Sequence, residues 1–449
     1  MKIQQFEDKY LAHYSYAILS ECERKIVLID PSRNPKQYYD YAKEMSADII
    51  AVVETHPHAD FVSSHLEIHE TTGAKIYAHS LTGVSYPFEP FDEGSEISFG
   101  KIKLRSLYTP GHSPDSISIV LNHDGKDKAV FTGDTLFIGD CGRPDLREGA
   151  GNIQQKRDDL ARQMYSSLRN KLMTLNDEVL VYPAHGAGTL CGKGLSEANR
   201  STIGAEKISN WSLQEMTEEK FIKELTADQP FIPKYFGYDV DLNRKGVPAF
   251  EPSVNAVKIL TKPTADSLNP DMLIIDASPQ DKFKKGHFSN SFNIQLGAKF
   301  ETWLGSIVSP GEKFYLAASD QEQLNQLIER SASIGYESFI EAAIVSDEGK
   351  EEMEVADVEK FRNNPDQYSI IDIRNSSEFK SEPIFPSAKN IPLGELRERI
   401  NEIPTDKPVI VHCAGGYRSA AGSSIVNEAI GDKTQVFDLG EAIEQFGKH

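Results

Sequence analysis

The feature that most restricts the fold of this chain is a domain-sized repeat in its second half. The segment Leu-Ile-Ile-Asp at 273–276 recurs as Ser-Ile-Ile-Asp at 369–372, an offset of 96 residues. The segment 293–297 recurs at 390–394, an offset of 97 residues. Two copies at so long a period indicate duplicated domains and not a solenoid of short repeats.

The remaining residues are enough for a third domain. A chain of 449 residues contains about three domains at the usual size of about 150 residues each. Residues 1–245 alternate apolar, strand-like runs with helix-length stretches, which is typical of sheets covered by helices. The segment 246–256 carries two prolines and predicts a linker. The predicted domains are therefore 1–245, 257–350 and 355–449.

Composition excludes several classes of partner. The chain has 68 acidic and 48 basic residues, a formal charge of −20 that repels nucleic acids and anionic membranes. The first residues lack the basic and apolar regions of a secretory leader, so a cytoplasmic location is expected. Four scattered cysteines are too few for a disulfide framework, so any that matter are expected to act as thiols.

Several potential metal ligands directly follow strand-like segments. Strand ends and their loops hold reactive groups rigidly, so side chains distant in sequence can converge at one sheet edge. A single histidine of this kind is usually structural, but the full set favours a metal site. Its members are His56, His58, Asp60, His112, Asp134 and His185.

This order of ligands resembles the metallo-β-lactamase superfamily, whose signature is HxHxDH followed by separate His, Asp and His ligands. The resemblance covers about residues 1–245 and implies a four-layer αββα sandwich. The dinuclear hydrolases of the superfamily need the last residue of HxHxDH as a ligand of a second metal. That position is Phe61 here, so the second site is incomplete.

The resemblance leaves a ligand set for one metal. His56, His112 and Asp134 match the two-His, one-carboxylate facial triad of non-haem iron, which implies one Fe(II) per chain. Such an iron has open positions for both O₂ and a thiolate sulfur. The other three residues are implied to orient the ligands through hydrogen bonds. They are His58, Asp60 and His185.

Within the superfamily, the similarity is greatest to persulfide dioxygenases. It rests on Pro-Gly-His at 110–112, Thr-Gly-Asp at 132–134 and Cys-Gly-Arg-Pro-Asp at 141–145. The implied reaction converts RSSH, O₂ and H₂O to sulfite and RSH. Residues 186–193 do not resemble the glutathione-specific enzymes, so coenzyme A and bacillithiol persulfides join glutathione and cysteine persulfides as expected substrates.

Two residues near this site have open roles. Arg143 either lines the substrate pocket or pairs structurally with a carboxylate such as Asp145. Cys191 either binds the substrate and accepts a sulfur beside the iron, or is a tolerated thiol in a glycine-rich loop. The sequence gives each pair of alternatives equal support.

The last domain contains a strand, loop and helix around one cysteine. Residues 409–411 form an apolar strand that runs into Cys413, and a helix-forming stretch follows. Successive backbone N–H groups at a helix start lower a thiol pKa and stabilise a persulfide or a sulfur oxyanion. Gly415 and Gly416 allow the backbone to curl around the sulfur. Arg418 would add a fixed charge for a sulfonate-like group.

This loop resembles rhodanese-type sulfurtransferases over about 355–449, which implies that Cys413 carries a sulfane sulfur. A Cys-x5-Arg phosphatase has five residues between its cysteine and arginine, whereas only four separate Cys413 from Arg418. The shorter loop favours sulfur over the larger phosphate. The preceding copy has Ala318 and Gln323 at the two positions and cannot form a persulfide. It is predicted to be a degenerate rhodanese that packs the active domains or mediates assembly.

The resulting hypothesis is an α/β chain with an αββα sandwich followed by two rhodanese-like α/β domains. It resembles bacterial persulfide dioxygenase and rhodanese fusions that detoxify sulfide. Expected partners are low-molecular-weight persulfides, O₂, sulfite and further copies of the chain in a homo-oligomer. The alternatives are a glyoxalase II-type thioester hydrolase with two metals, and rhodanese domains that act only as binding modules.

Overall fold

In the computed structural model, the chain divides into two units. The first contains Met1–Pro252 with Ser333–Gly335, and the second contains Ser253–Ala332 with Tyr336–His449. The described residues are 1–146, 153–261, 263–264, 267–345 and 349–446.

The boundary between the two units falls inside the predicted linker. That segment, 246–256, is not entirely irregular, because residues 250–255 form a short helix. The predicted domains 257–350 and 355–449 include residues 346–348 and 447–449, which lie outside the described residues. No helix in the described parts of the chain is long and apolar enough to cross a lipid bilayer.

The first unit is built from short strands and helices. Its strands are β1 (Lys2–Asp8), β2 (His13–Ser20), β3 (Lys25–Ile29), β4 (Asp48–Val53), β5 (Lys75–Ala78), β6 (Glu89–Pro90), β7 (Glu96–Phe99), β8 (Ile102–Tyr108), β9 (Ile117–His123), β10 (Lys126–Gly133), β11 (Leu180–Pro183) and β12 (Ser201–Thr202). Its helices are α1 (Lys36–Met45), α2 (His65–Thr72), α3 (Ile153–Asn170), α4 (Ile203–Ser209), α5 (Glu218–Thr226), α6 (Phe236–Lys245) and α7 (Phe250–Asn255), the last of which crosses the unit boundary.

These strands form two six-stranded sheets in the described residues. One has the order β1-β2-β3-β4-β5-β6 and the other β12-β11-β10-β9-β8-β7. Successive side chains of a strand point to opposite faces of its sheet. In β2, Tyr16 and Ile18 join the core between the two sheets, whereas Ala17 and Leu19 join a core with Tyr38 of α1.

The second sheet is covered in the same way by α3 and α5, whose apolar side chains share a core with its outer face. Four layers follow from this alternation, and the predicted αββα sandwich is confirmed.

The second unit contains both copies of the repeat. Its strands are β13 (Ile259–Thr261), β14 (Leu273–Asp276), β15 (Ser291–Asn293), β16 (Phe314–Ala318), β17 (Ile340–Val345), β18 (Ser369–Asp372), β19 (Lys389–Asn390), β20 (Val409–His412) and β21 (Val436–Asp438). Its helices are α8 (Gln280–Lys285), α9 (Phe300–Ile307), α10 (Gln321–Ala332), α11 (Val358–Asn363), α12 (Ser376–Ser381) and α13 (Tyr417–Ile430).

The two copies share one sheet topology. The middle copy has the parallel order β13-β17-β16-β14-β15, and the last copy has the parallel order β21-β20-β18-β19. Apart from the extra edge strand β13, the orders correspond strand by strand. The repeat in the sequence is therefore also a repeat of architecture.

An asparagine holds the same turn in each copy. The Asn293 side chain donates hydrogen bonds to the carbonyls of Asp276 and Ser278, at 3.0 and 2.8 Å. Asn390 donates to the carbonyls of Asp372 and Arg374, at 2.9 and 2.8 Å. These bonds satisfy backbone carbonyls just after the central strands β14 and β18 and fix the loops that leave the sheets.

The core between the two sheets gives the first prediction. Phe131 is fully buried there, so Phe131→Ala should lower the free energy of unfolding of the first unit by about 3–5 kcal/mol. Urea unfolding followed by Trp211 fluorescence, with Trp303→Phe in every variant, reports on this unit alone. Ile208→Ala at an exposed position is the control and should change the value by less than about 0.5 kcal/mol. Equal midpoints for the two variants would contradict the assigned core.

Candidate metal centre and cysteine loop

Three of the predicted ligands meet where strands of the two sheets end. His56 follows β4, His112 follows β8 and Asp134 directly follows β10. Their ligand atoms lie within 4.8 Å of one another, and all three residues are buried. Oδ2 of Asp134 lies 3.4 Å from Nε2 of His112 and 4.0 Å from Nε2 of His56. These separations suit donors that share one coordination sphere.

Both histidines are held in the ring orientation that a metal requires. Thr55 Oγ1 donates to Asp30 Oδ2 at 2.8 Å and lies 3.1 Å from His56 Nδ1, so it accepts from that nitrogen. Nδ1 of His112 lies 2.9 Å from the carbonyl oxygen of Arg143 and donates to it. With Nδ1 protonated, Nε2 of each ring keeps its lone pair for a cation.

The chemistry of Asp134 also fits a bound cation. Burial raises the pKa of this carboxyl to about 6, because a charged carboxylate is less stable away from water. Nitrogens of His112, His185 and His56 surround it at 3.4, 3.5 and 4.0 Å, but none of these pairs is a hydrogen bond. A divalent cation held by the three ligands would stabilise the buried charge.

A second group lies on the other side of Asp134. It consists of Asp60, His185 and Cys191, whose ligand atoms also lie within 4.8 Å of one another. His185 Nε2 is 3.4 Å from Asp60 Oδ2, and burial raises the pKa of the Cys191 thiol well above its usual value. Phe61 supplies no ligand here, since its buried ring packs on His13 with centroids 3.9 Å apart.

His58 belongs to a separate polar cluster. Its Nε2 lies 3.2 Å from Asp30 Oδ1 and 3.5 Å from Glu54 Oε2. Burial opposes a charge on this ring, but the two carboxylates outweigh it and raise the pKa of His58 to about 9. Burial, followed by the nearby Asp30 charge, raises the pKa of Glu54 to about 8. His58 is therefore turned toward carboxylates and orients the HxHxD loop.

Sequence analysis missed three residues around this centre. Asp30 and Glu54 each directly follow an apolar strand, β3 or β4, and this position is a signal that could have identified them. His13 lies on β2, with its ring 5.6 Å from that of His185 and 5.9 Å from that of His58. Nothing in the strand pattern distinguishes it from other buried residues.

Arg143 is enclosed and paired. Its guanidinium donates to both oxygens of Asp145, at 2.6 and 2.7 Å, and to the carbonyl of Leu190 at 3.2 Å. Its backbone N–H donates to the carbonyl of Cys191 at 3.0 Å. With its side chain 1% exposed, Arg143 supports the structural alternative, and it joins the candidate ligand His112 to the loop that carries Cys191.

The cysteine loop lies between β20 and α13. Cys413 directly follows β20 and is buried, and the backbone N–H of Gly416 donates to its Sγ at 3.2 Å. Gly416 has a φ of +92°, and a Cβ there would lie 2.8 Å from the backbone nitrogen of Glu441. Glycine is therefore required at 416. Gly415 is exposed, and a Cβ on it would meet nothing within 4 Å.

Arg418 has a partner that the sequence did not reveal. Its guanidinium donates to both carboxylate oxygens of Glu378, at 2.7 and 2.8 Å. Glu378 also accepts from the backbone N–H of Asn375 at the start of α12. The charge predicted to attract a sulfur oxyanion is thus shared with a carboxylate.

The middle copy keeps the architecture without the nucleophile. Ala318 ends β16 where Cys413 follows β20, and Gln323 lies in α10. His287 is buried, with Nδ1 2.8 Å from the Phe283 carbonyl and its ring stacked on that of Phe283.

Residues 11–185 match the sequence family described as Metallo-beta-lactamase superfamily. The persulfide dioxygenase ETHE1 of Bos taurus is 32% identical over 51% of this chain and 82% of its own length. The chain belongs to the metallo-beta-lactamase superfamily. Another relative, the cytoplasmic hydroxyacylglutathione hydrolase of Arabidopsis thaliana, is 33% identical over 38% of this chain and 63% of its own length.

The superfamily domain is followed by a rhodanese-like domain, since residues 354–449 match that family. The crystal structure of a metallo-beta-lactamase from Staphylococcus aureus superposes with a TM-score of 0.68 and 30% identity. The superposition covers 77% of this chain and 98% of the Staphylococcus aureus chain. The matched part of this chain is therefore longer than residues 11–185, which match the superfamily. The expected fusion of the two folds is confirmed.

The hydrogen bonds around His56 give the second prediction. Thr55→Val removes the hydroxyl between Asp30 and His56 while it preserves the side-chain shape, so metal affinity should fall about 10- to 100-fold. Competition against a chromophoric chelator measures the change. Thr72→Val, which removes a hydroxyl bonded to the Ile68 carbonyl on α2, is the matched control and should leave the affinity unchanged. Equal affinities in both variants would contradict the role of Thr55.

Proposed function

We propose that the first unit oxidises low-molecular-weight persulfides with O₂ at one Fe(II) per chain, and that the last domain transfers sulfur. The observation that carries this proposal is the ligand set. Two imidazoles and one carboxylate converge, whereas the second-metal position of the motif is filled by Phe61 packed on His13. The similarity to a persulfide dioxygenase supports the same assignment.

The proposed overall reaction at the metal centre is RSSH + O₂ + H₂O → RSH + SO₃²⁻ + 2H⁺. Iron, when bound, supplies open positions at which O₂ and a sulfur ligand can react. His56, His112 and Asp134 would hold it. The sulfane sulfur is oxidised, O₂ is reduced, and the carrier thiol is released.

The surrounding residues have proposed roles of their own. Asp60 and His185 lie 3.4 Å apart beside Asp134 and are placed to bind and orient groups next to the metal. His58 holds the loop through Asp30 and Glu54. Cys191 lies with Asp60 and His185 and would contact the substrate. Arg143 positions the Cys191 loop, so its predicted place in the substrate pocket is not part of the proposal.

Sulfur transfer would proceed at Cys413 in two balanced steps. The thiol takes the outer sulfur of a second persulfide, so that Cys413–SH and RSSH give Cys413–SSH and RSH. Sulfite then attacks the outer sulfur, forms thiosulfate and leaves the Cys413 thiolate. The Gly416 N–H stabilises negative charge on Sγ, and Gly415 leaves the loop open to a substrate. Arg418, braced by Glu378, would face the departing charge.

The proposed substrates are coenzyme A, bacillithiol, glutathione and cysteine persulfides, in a cytoplasmic homo-oligomer that detoxifies sulfide. Sulfite links the two sites, because the first reaction produces it and the second consumes it.

One observation favours a second candidate function. Asp60, His185 and Cys191 form a group that suits a second metal, and a hydroxyacylglutathione hydrolase is among the relatives. A dinuclear thioester hydrolase would use such a pair of metals to generate hydroxide. The number of metals per chain separates the two functions.

The third prediction concerns that number. Protein purified from cells should contain about one iron per chain, and His112→Ala should lose most of it, because a facial ligand is missing. His123→Ala, outside the group, is the control and should keep the metal. Elemental analysis decides the point. Two tightly bound zinc ions per chain with thioester turnover and no O₂ uptake would favour the hydrolase instead.

The fourth prediction tests both sites together on a panel of the four persulfides, with O₂ uptake, sulfite and thiosulfate measured. Cys413→Ser should keep O₂ uptake and switch the product from thiosulfate to sulfite, because only the second step needs this thiol. Cys22→Ser, at an exposed thiol, is the control and should behave as the wild type. If folded, iron-loaded Cys413→Ser makes thiosulfate at the wild-type rate or takes up no O₂, the two-site scheme is wrong.

A further inference from the structure

The cysteine loop of the last copy is held from one side by the middle copy. Tyr417, four residues after Cys413, donates its hydroxyl to the carbonyl of Gln295 at 2.8 Å. Its ring lies so close to Gly297 that a Cβ at 297 would be 2.6 Å from Cε2 of the ring. The first residue of α13 is therefore seated against position 297 of the middle copy, where a larger side chain would displace the tyrosine ring.

That segment is itself fixed by a buried ion pair. Arg330 donates to the carbonyl of Gly297 at 2.7 Å and to both oxygens of Glu301 at 2.5 Å. Both side chains are nearly inaccessible, at 6% and 1% exposure. A buried pair of this kind has few alternative arrangements, because loss of either partner leaves an unpaired charge. The segment that receives Tyr417 is thus bonded to a buried ion pair.

A second chain of contacts reaches the loop at Gly416. Gly416 packs against the backbone of Gly440 and Glu441, and the N–H of Gly440 donates to Asp438 Oδ1 at 2.9 Å. Lys284 of the middle copy donates to the other Asp438 oxygen at 2.7 Å. The Asp438 side chain is fully buried, so Lys284 supplies the charge that balances it.

The two sets of contacts are joined within the middle copy. Lys284 also donates to Gln280 Oε1 at 3.2 Å, and the backbone N–H of Gln280 donates to Gln295 Oε1 at 3.0 Å. Gln295 is the residue whose carbonyl receives Tyr417. The middle copy therefore contacts Tyr417 and Asp438 through one connected set of hydrogen bonds.

We propose that the middle repeat, which has no nucleophile, is a positioning element for Cys413, with Tyr417 and Lys284 as the positioning residues. Backbone N–H groups stabilise a thiolate or persulfide only while they stay aimed at the sulfur. Gly416 donates such an N–H to Sγ at 3.2 Å. The middle copy holds the next residue, Tyr417, directly, and through Lys284 it holds Asp438, which bonds to the Gly440 turn that packs on Gly416. This inference rests on the proposed sulfur transfer, since it concerns the same thiol.

The test compares Tyr417→Phe and Lys284→Met with a matched control in the full-length chain. Tyr368→Phe is the control, because this tyrosine precedes β18 at the opposite end of the sheet. Two rates are measured: sulfur transfer from thiosulfate to cyanide, and alkylation of Cys413 by iodoacetamide followed by mass spectrometry. All variants carry Cys22→Ser, which removes the exposed thiol.

Tyr417→Phe should lower kcat for sulfur transfer and the alkylation rate about fivefold, the loss expected from one hydrogen bond. Lys284→Met should lower them further, because Asp438 is left unpaired, and Lys284→Arg should restore most of the loss. KM for cyanide should change less than twofold, and O₂ uptake should not change. The final fraction of Cys413 alkylated should equal that of the wild type, which separates a displaced loop from unfolded protein.

Rates for Tyr417→Phe and Lys284→Met within twofold of the Tyr368→Phe control would overturn the proposal. So would a loss of rate matched by an equal loss in the final alkylated fraction. If the wild type transfers no sulfur from thiosulfate, the proposed transferase function fails, and the alkylation rates alone still decide whether the middle repeat positions Cys413.

Discussion

The first unit buries a carboxylate, Asp134, where strands of its two sheets end, and this buried charge needs a positive partner. Asp134 has little access to water and is surrounded by imidazole nitrogens that do not hydrogen-bond to it. A charge in such a place needs a partner of opposite sign. The candidate ligands His56 and His112 follow strands of different sheets, and Thr55 and the Arg143 carbonyl fix their tautomers. The four-layer sandwich thus brings together strand ends that are far apart in sequence.

The second unit shows how a duplicated fold can divide its tasks. Both copies keep the strand order and the asparagine that closes the turn after the central strand. The last copy keeps Cys413, whereas the middle copy keeps the contacts with Tyr417 and Asp438. A domain without its own nucleophile is still under physical constraint when the neighbouring loop packs against it.

Strand positions, and the candidate ligands that follow them, could be predicted because both depend on local pattern. The apolar run at 48–53 is β4 in the structure, and His56 follows it as expected. The partners of charged side chains could not be predicted, since they depend on which distant segments meet. Arg143 with Asp145 was one of two alternatives, whereas Arg418 with Glu378 was unforeseen. The helix at 250–255 was missed because Pro248, just before it, and Pro252, within it, resemble the prolines of a linker.

The pairing of Arg418 with Glu378 has an electrostatic consequence for any anionic sulfur species that approaches Cys413. With the guanidinium neutralised by a carboxylate, attraction at the loop comes mainly from backbone dipoles, which act only over a few ångströms. At longer range the anion meets a protein with a net charge of −20. Salt screens that repulsion more than it weakens the buried dipoles. Association of sulfite or thiosulfate should therefore become faster as ionic strength rises, the opposite of the behaviour of an enzyme with a basic entrance.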